Sequence, residues 1–174
     1  MNYRGPAFRA HNPRWSWSPL SGDGAANYGG RFNRKGLPAL YLATDMATAM
    51  REVAHGFPRK LVDPLLIVSY EVDCADIVDL TSERVRRANG MTLEQLGCGW
   101  LRLQEDRKPV PSQQIADRLM AGGAAGLLVR SFAAGSTPSN TNLVLWRWSA
   151  RLPHRVRVHD PDGRLPKDGS SWTA

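Results

Sequence analysis

The sequence predicts an α+β fold: one domain with a mixed, mainly antiparallel sheet and short helices. Three observations carry this. The chain has 174 residues, the length of a single domain. Seven or eight short segments read as strands and four or five as short helices. The strands do not alternate regularly with long helices, which argues against a doubly wound parallel sheet. Residues 1–159 form the expected body, and residues 160–174 a loose C-terminal tail. No internal repeat is visible.

Tyr3–Ala10 reads as the first strand, with Arg9 in an otherwise apolar stretch. A buried arginine needs an anionic partner, so Arg9 either pairs with a core carboxylate or faces a ligand. His11–Ala26, rich in Trp, Ser, Pro and Gly, reads as a long loop. Trp15 and Trp17 within it suit a core or partner contact. Gly29-Gly30 lets the backbone turn tightly and presents Arg31. Ala39–Ala43 is a strand with apolar residues on both faces. Thr44 is placed to cap the helix Asp45–Ala54, with Met46, Ala49, Met50 and Val53 as its core stripe and Gly56-Phe57-Pro58 as its stop.

Leu65–Val72 and Ile77–Leu80 are strands. Thr81 and Thr92 are read as the caps of two short helices, and Arg102–Ser112 as a surface loop. Ser112 then caps Gln113–Met120, which Gly122-Gly123 ends. Gly126–Ser131 is a strand that delivers Ser131 at its end. Ala134–Thr141 is a small-residue loop, Asn142–Trp148 a core strand, and Arg155–Val158 a basic strand at an edge.

Composition excludes several classes. Hydrophobic residues make up 42% and charged residues 22%, as in an ordinary globular protein. Two cysteines and no CxxC argue against a zinc site or a disulfide framework and fit a reducing cytoplasm. No metal cluster is expected among His11, His55, His154 and His159. The N-terminus lacks the apolar core of a secretory signal, and the run Leu65–Val68 is far too short to span a membrane. The net charge is +7. Residues 1–35 hold six basic residues against Asp23 alone, and 147–174 hold six against three aspartates. Basic ends suit an acidic partner. No helix-turn-helix, zinc finger or aromatic-glycine RNA motif is present, so direct nucleic-acid binding is not expected. GxGxxG after a strand and GxxxxGK[ST] are absent too, leaving a Rossmann site and a P-loop unsupported.

The chemistry concentrates in Arg31, Tyr41 and Glu52: one cation, one ring and one carboxylate within about twenty residues. Around them lies a longer pattern. Phe8-Arg9, Leu20–Ala25, Gly29-Gly30-Arg31-Phe32-Asn33, Gly36, Ala39–Ala43, Thr48–Glu52, Val129–Ser131 and Asn142–Trp146 follow one another in an order and spacing that resemble the RES-domain toxins of bacterial toxin–antitoxin pairs. The arginine, glutamate and serine of that name match Arg31, Glu52 and Ser131. One departure is Arg130, where the family pattern has proline.

The resemblance implies a fold like that of ADP-ribosyltransferase toxins, with NAD as substrate and no metal. It also implies a cognate Xre-like helix-turn-helix antitoxin that covers the active site and supplies any contact with DNA. Glu52 is then the carboxylate that stabilises positive charge on the ribose as the nicotinamide–ribose bond breaks. Arg31 is assigned to the diphosphate, which a guanidinium binds as a fork, with Arg9 second. Tyr41 stacks on nicotinamide or a ribose face. Ser131 hydrogen-bonds the nicotinamide amide or a ribose hydroxyl, and Asn142 joins the NAD-binding set. No Ser-His-Asp arrangement marks Ser131 as a nucleophile, and His11 is a candidate for the adenosine side. The acceptor of ADP-ribose is read as a target protein, with phosphate and water as alternatives. A non-catalytic basic binding module and an NAD-holding scaffold are the readings of other classes.

Overall fold

The computed structural model describes residues 1–55 and 64–170. Among these, seven strands form one sheet: β1 Tyr3–His11, β2 Leu40–Ala43, β3 Leu66–Cys74, β4 Ile77–Asp79, β5 Gly126–Arg130, β6 Thr141–Leu145 and β7 His154–Val158. Their spatial order is β4-β5-β6-β2-β1-β3-β7. Every neighbouring pair is antiparallel except β4 and β5, as the mixed, mainly antiparallel expectation requires. The basic strand β7 is at the edge.

Burial follows from the strand period of two. On β3, Val68, Tyr70, Val72 and Cys74 are buried while Glu71 faces water.

 On β6 and β2 burial runs through successive residues instead: Leu143, Val144 and Leu145 are buried in a row, as are Leu42 and Ala43, as befits central strands covered on both faces. One face carries a core of Leu127, Val129, Val144, Phe32 and Trp146 beneath the helices. The other carries Leu40, Leu42, Tyr70, Leu143 and Leu145, closed by Leu20, Trp148 and Leu165. Leu165 packs there because the Asp160 carboxylate accepts the Arg164 and Leu165 amides, so this part of the expected tail is folded against the body.

Six α-helices accompany the sheet among the described residues: α1 Asp23–Tyr28, α2 Met46–His55, α3 Glu83–Ala88, α4 Leu93–Leu96, α5 Trp100–Glu105 and α6 Pro111–Ala121. Several differ from expectation. The region read as a loop, His11–Ala26, contains a 3₁₀ turn at Pro13–Trp15 and the start of α1. The expected loop Arg102–Ser112 holds most of α5 and the start of α6. Ser82, not Thr81, caps α3, because the Thr81 hydroxyl donates to Asp79. Thr92 caps α4 as expected, in a capping box with Gln95. Ser112 lies inside the first turn of α6 and caps nothing there; its hydroxyl donates to the Arg31 carbonyl.

The helix α2 is corrected in two ways. Its cap is Asp45, whose carboxylate accepts the Thr48 amide at 2.8 Å, while Thr44 pairs with Thr141. Of its expected core stripe, Ala49 and Val53 pack inward but Met46 and Met50 do not. Met46 is 56% exposed and Met50 40%, whereas Thr48 is fully buried and Ala49 nearly so. The expected stop at Gly56-Phe57-Pro58 lies outside the described residues.

Candidate functional site

The turn Gly29–Asn33 is held by remote groups through its backbone. The Gln113 side-chain amide donates to the Gly30 carbonyl at 2.9 Å, and the Ser112 hydroxyl to the Arg31 carbonyl at 2.6 Å. The Phe32 amide donates to the Tyr41 hydroxyl at 3.0 Å, and the Trp146 indole to the Phe32 carbonyl at 2.8 Å. Asn33, fully buried, donates to the carbonyls of Ala25, Arg34 and Leu37 and accepts the Tyr41 hydroxyl at 2.7 Å. Gly29 has φ 75°, a region that favours glycine. The turn is thus a rigid mount for Arg31.

The Arg31 side chain is anchored too. Nη1 donates to the Cys98 carbonyl at 2.6 Å and the Leu96 carbonyl at 3.3 Å, and the guanidinium lies 5.0 Å from the centre of the Phe132 ring. Burial lowers its pKa, with Cys98, Glu52 and Tyr41 acting in the opposite direction; an arginine stays charged through such a shift. Arg130 reaches the same ring at 6.0 Å, and its buried Nε has no hydrogen-bond partner.

Glu52 comes from α2. Its Oε1 accepts the Ser131 hydroxyl at 2.5 Å and the Asn142 side-chain amide at 2.6 Å. Both bonds fall on one oxygen, and Glu52 lines the cleft described below. Ser131 is buried, and its hydroxyl oxygen also meets Ser136 at 2.8 Å and accepts the Ala133 amide at 3.2 Å. Its hydrogen-bonding capacity is therefore filled by the protein, and one of these bonds supports Glu52.

Arg9 reaches the site from β1, which pairs with β2 at the single position Phe8↔Ala43. Its Nη1 donates to the Ser21 carbonyl at 3.1 Å and the Pro19 carbonyl at 3.4 Å. Burial lowers its pKa, with Tyr70 opposing; burial in turn raises the Tyr70 phenol to about 12. His11 does not line the cleft. Burial and the Arg9 charge lower its pKa, and its buried Nε2 has no partner.

These elements enclose a cleft of about 860 Å³ whose walls include Arg9, Arg31, Tyr41, Glu52, Phe132 and Asn142. That falls within the range of about 300–1,000 Å³ for small-molecule sites. Five of the six expected site residues therefore share one cavity, and the sixth, Ser131, stands behind Glu52. Tyr41 presents its ring, but its hydroxyl is held by Phe32 and Asn33, and burial raises its pKa. Tyr41→Phe is expected to cost about 1–3 kcal/mol of stability, since it strands buried partners; urea denaturation reads this directly. Gln113 and Phe132 are not singled out in the sequence, while Asn33 and Trp146 enter only as motif members and Ser112 only as a helix cap. A buried glutamine and serine at the start of an amphipathic helix carry no local pattern that would mark them.

Among the described residues no cluster of three or more His, Cys, Asp or Glu side chains is arranged to hold a metal, and no helix is long and apolar enough to cross a membrane.

The RES domain family pattern matches residues 6–168. Among solved structures, one chain in the crystal structure of the M. tuberculosis MbcT-MbcA toxin-antitoxin complex is similar, with a TM-score of 0.65 and 22% sequence identity over 92% of this chain and 84% of that one. At this identity the likeness is one of fold. No curated protein sequence matches.

Proposed function

Because the chain belongs to the RES domain family across residues 6–168, we propose that it is the toxin of a toxin–antitoxin pair, which cleaves the nicotinamide–ribose bond of NAD and transfers ADP-ribose to a target protein. The observation that carries this reading is a carboxylate held by one oxygen in a cleft with two guanidiniums: Glu52 with Ser131 and Asn142 behind it, and Arg9 and Arg31 in the walls. NAD is a dianionic diphosphate joined to a cationic nicotinamide ribose. Guanidiniums suit the first part and a carboxylate the second.

In this reading the bond from ribose C1′ to the nicotinamide nitrogen breaks, and its electron pair leaves with neutral nicotinamide. The ribose acquires oxocarbenium character, which the free oxygen of Glu52 stabilises. The acceptor then forms the new bond to C1′ and gives up its proton. Arg31 and Arg9 hold the diphosphate, and the Tyr41 ring forms a wall of the substrate site.

A cognate helix-turn-helix antitoxin of the Xre-like kind would close this cleft. The similar solved chain comes from a toxin-antitoxin complex, which supports a protein partner here. The test is incubation of the purified chain with NAD labelled in its adenylate half, phosphate and cell lysate. Labelled protein is the expected product. Phosphorylated ADP-ribose or free ADP-ribose would instead assign phosphate or water as acceptor, and intact NAD would overturn the reading.

A further inference from the structure

Thr44, Thr48 and Glu52 lie four residues apart, along one side of α2 and its approach. Each is bonded to the segment that joins β5 to β6 or to the first residues of β6. The Thr44 amide donates to the Thr141 carbonyl at 3.0 Å, and their hydroxyls meet at 2.6 Å. The Asn140 side-chain amide donates to the Thr48 hydroxyl at 2.9 Å. Glu52 takes Ser131 and Asn142. The segment is closed at its neck, where the Ser131 amide donates to the Asn140 carbonyl at 2.7 Å.

We propose that Thr48 and Asn140 are positioning residues for Glu52. The middle rung is directional. The Thr48 hydroxyl donates to Asp45 Oδ2 at 2.6 Å, so its oxygen is left to accept from Asn140. Asn140 Oδ1 accepts the Thr137 amide and hydroxyl, so its amino group is turned to Thr48. Apolar contact seats this helix through Ala49 and Val53 alone of its expected stripe, since Met46 and Met50 face outward. The rungs therefore set the height of α2, and with it the reach of Glu52, about 6 Å along the axis from Thr48. A misplacement on the order of 1 Å at a reacting group can cost about a hundredfold in rate.

The kinetic consequence rests on the NAD-cleaving reading; the geometric one does not. Asn140→Asp keeps the oxygen that Thr137 needs and removes the donor to Thr48. It is expected to lower kcat for nicotinamide release by about tenfold or more with KM for NAD within about twofold. Thr48→Ser, which keeps the hydroxyl, retains wild-type kcat. Adding Asn140→Asp to Thr48→Val causes little further loss, since both remove one link. Wild-type kcat in Asn140→Asp, or a rise in KM at constant kcat, would overturn the proposal.

If the wild type releases no nicotinamide, the NAD reading fails, and the side-chain amide resonances of Asn142 still decide the positioning role. They report its bond to Glu52. They are expected to shift in Asn140→Asp and to stay in place in Thr48→Ser. Unchanged resonances in Asn140→Asp would show that the rung does not place Glu52.

Discussion

Glu52→Gln is expected to lower nicotinamide release from NAD by about a hundredfold or more, the loss typical of removing one preorganised electrostatic stabiliser from a transition state. The fold is expected to survive. Both hydrogen bonds to Glu52 fall on Oε1, and the amide oxygen of glutamine can accept the same two donors. The substitution therefore removes charge and little else. The thermal midpoint should move by no more than a few degrees, while the initial rate of nicotinamide release collapses. A variant that turned over NAD at the wild-type rate would remove Glu52 from the chemistry.

The second large effect concerns stability. A Cβ on Gly30 would lie 2.5 Å from the Tyr41 hydroxyl and 2.6 Å from Asn33 Oδ1. Neither group can retreat freely. They are bonded to each other at 2.7 Å, and Asn33 is fixed by three backbone carbonyls. Overpacking costs about 1–3 kcal/mol, and each buried polar group left without its partner about the same again. Gly30→Ala is thus expected to lower unfolding free energy by about 3 kcal/mol or more, read as a lower urea midpoint at constant slope. Gly24→Ala is the contrasting control. It lies in α1 with open space around its Cβ position, and alanine there should be neutral or stabilising by up to about 1 kcal/mol. Equal losses at both positions would show that the packing around Gly30 is not the cause.

Much of the fold was legible because strand patterns are local. The alternation in β3 and the continuous apolar runs of β2 and β6 show in the residues themselves. The site was legible to the extent that its groups belong to a recognisable order of motifs: Arg31, Tyr41, Glu52 and Asn142 do line one cleft. What escaped was the direction of hydrogen bonds across long separations. Nothing in the residues next to Ser131 announces that Glu52, Ser136 and the Ala133 amide surround its hydroxyl. Nor does the sequence show that the Tyr41 hydroxyl is taken by Phe32 and Asn33. The helix α2 shows the same limit, since its spacing favoured Met46 and Met50 while polar rungs turned Thr48 inward.

The mounting of the Arg31 turn has a consequence for how the chain comes to its working form. Its carbonyls are bonded across sequence separations of 81, 83 and 114 residues. Contacts of that length form late, because the loops they close must first lose their freedom. Local bonds such as those between Gly30 and Asn33 can form early, but these three remote ones need α6 and the residue after β6 in place. Arginine presentation is therefore a property of the completed fold, and a newly made or partly unfolded chain carries the residues of the site without the site.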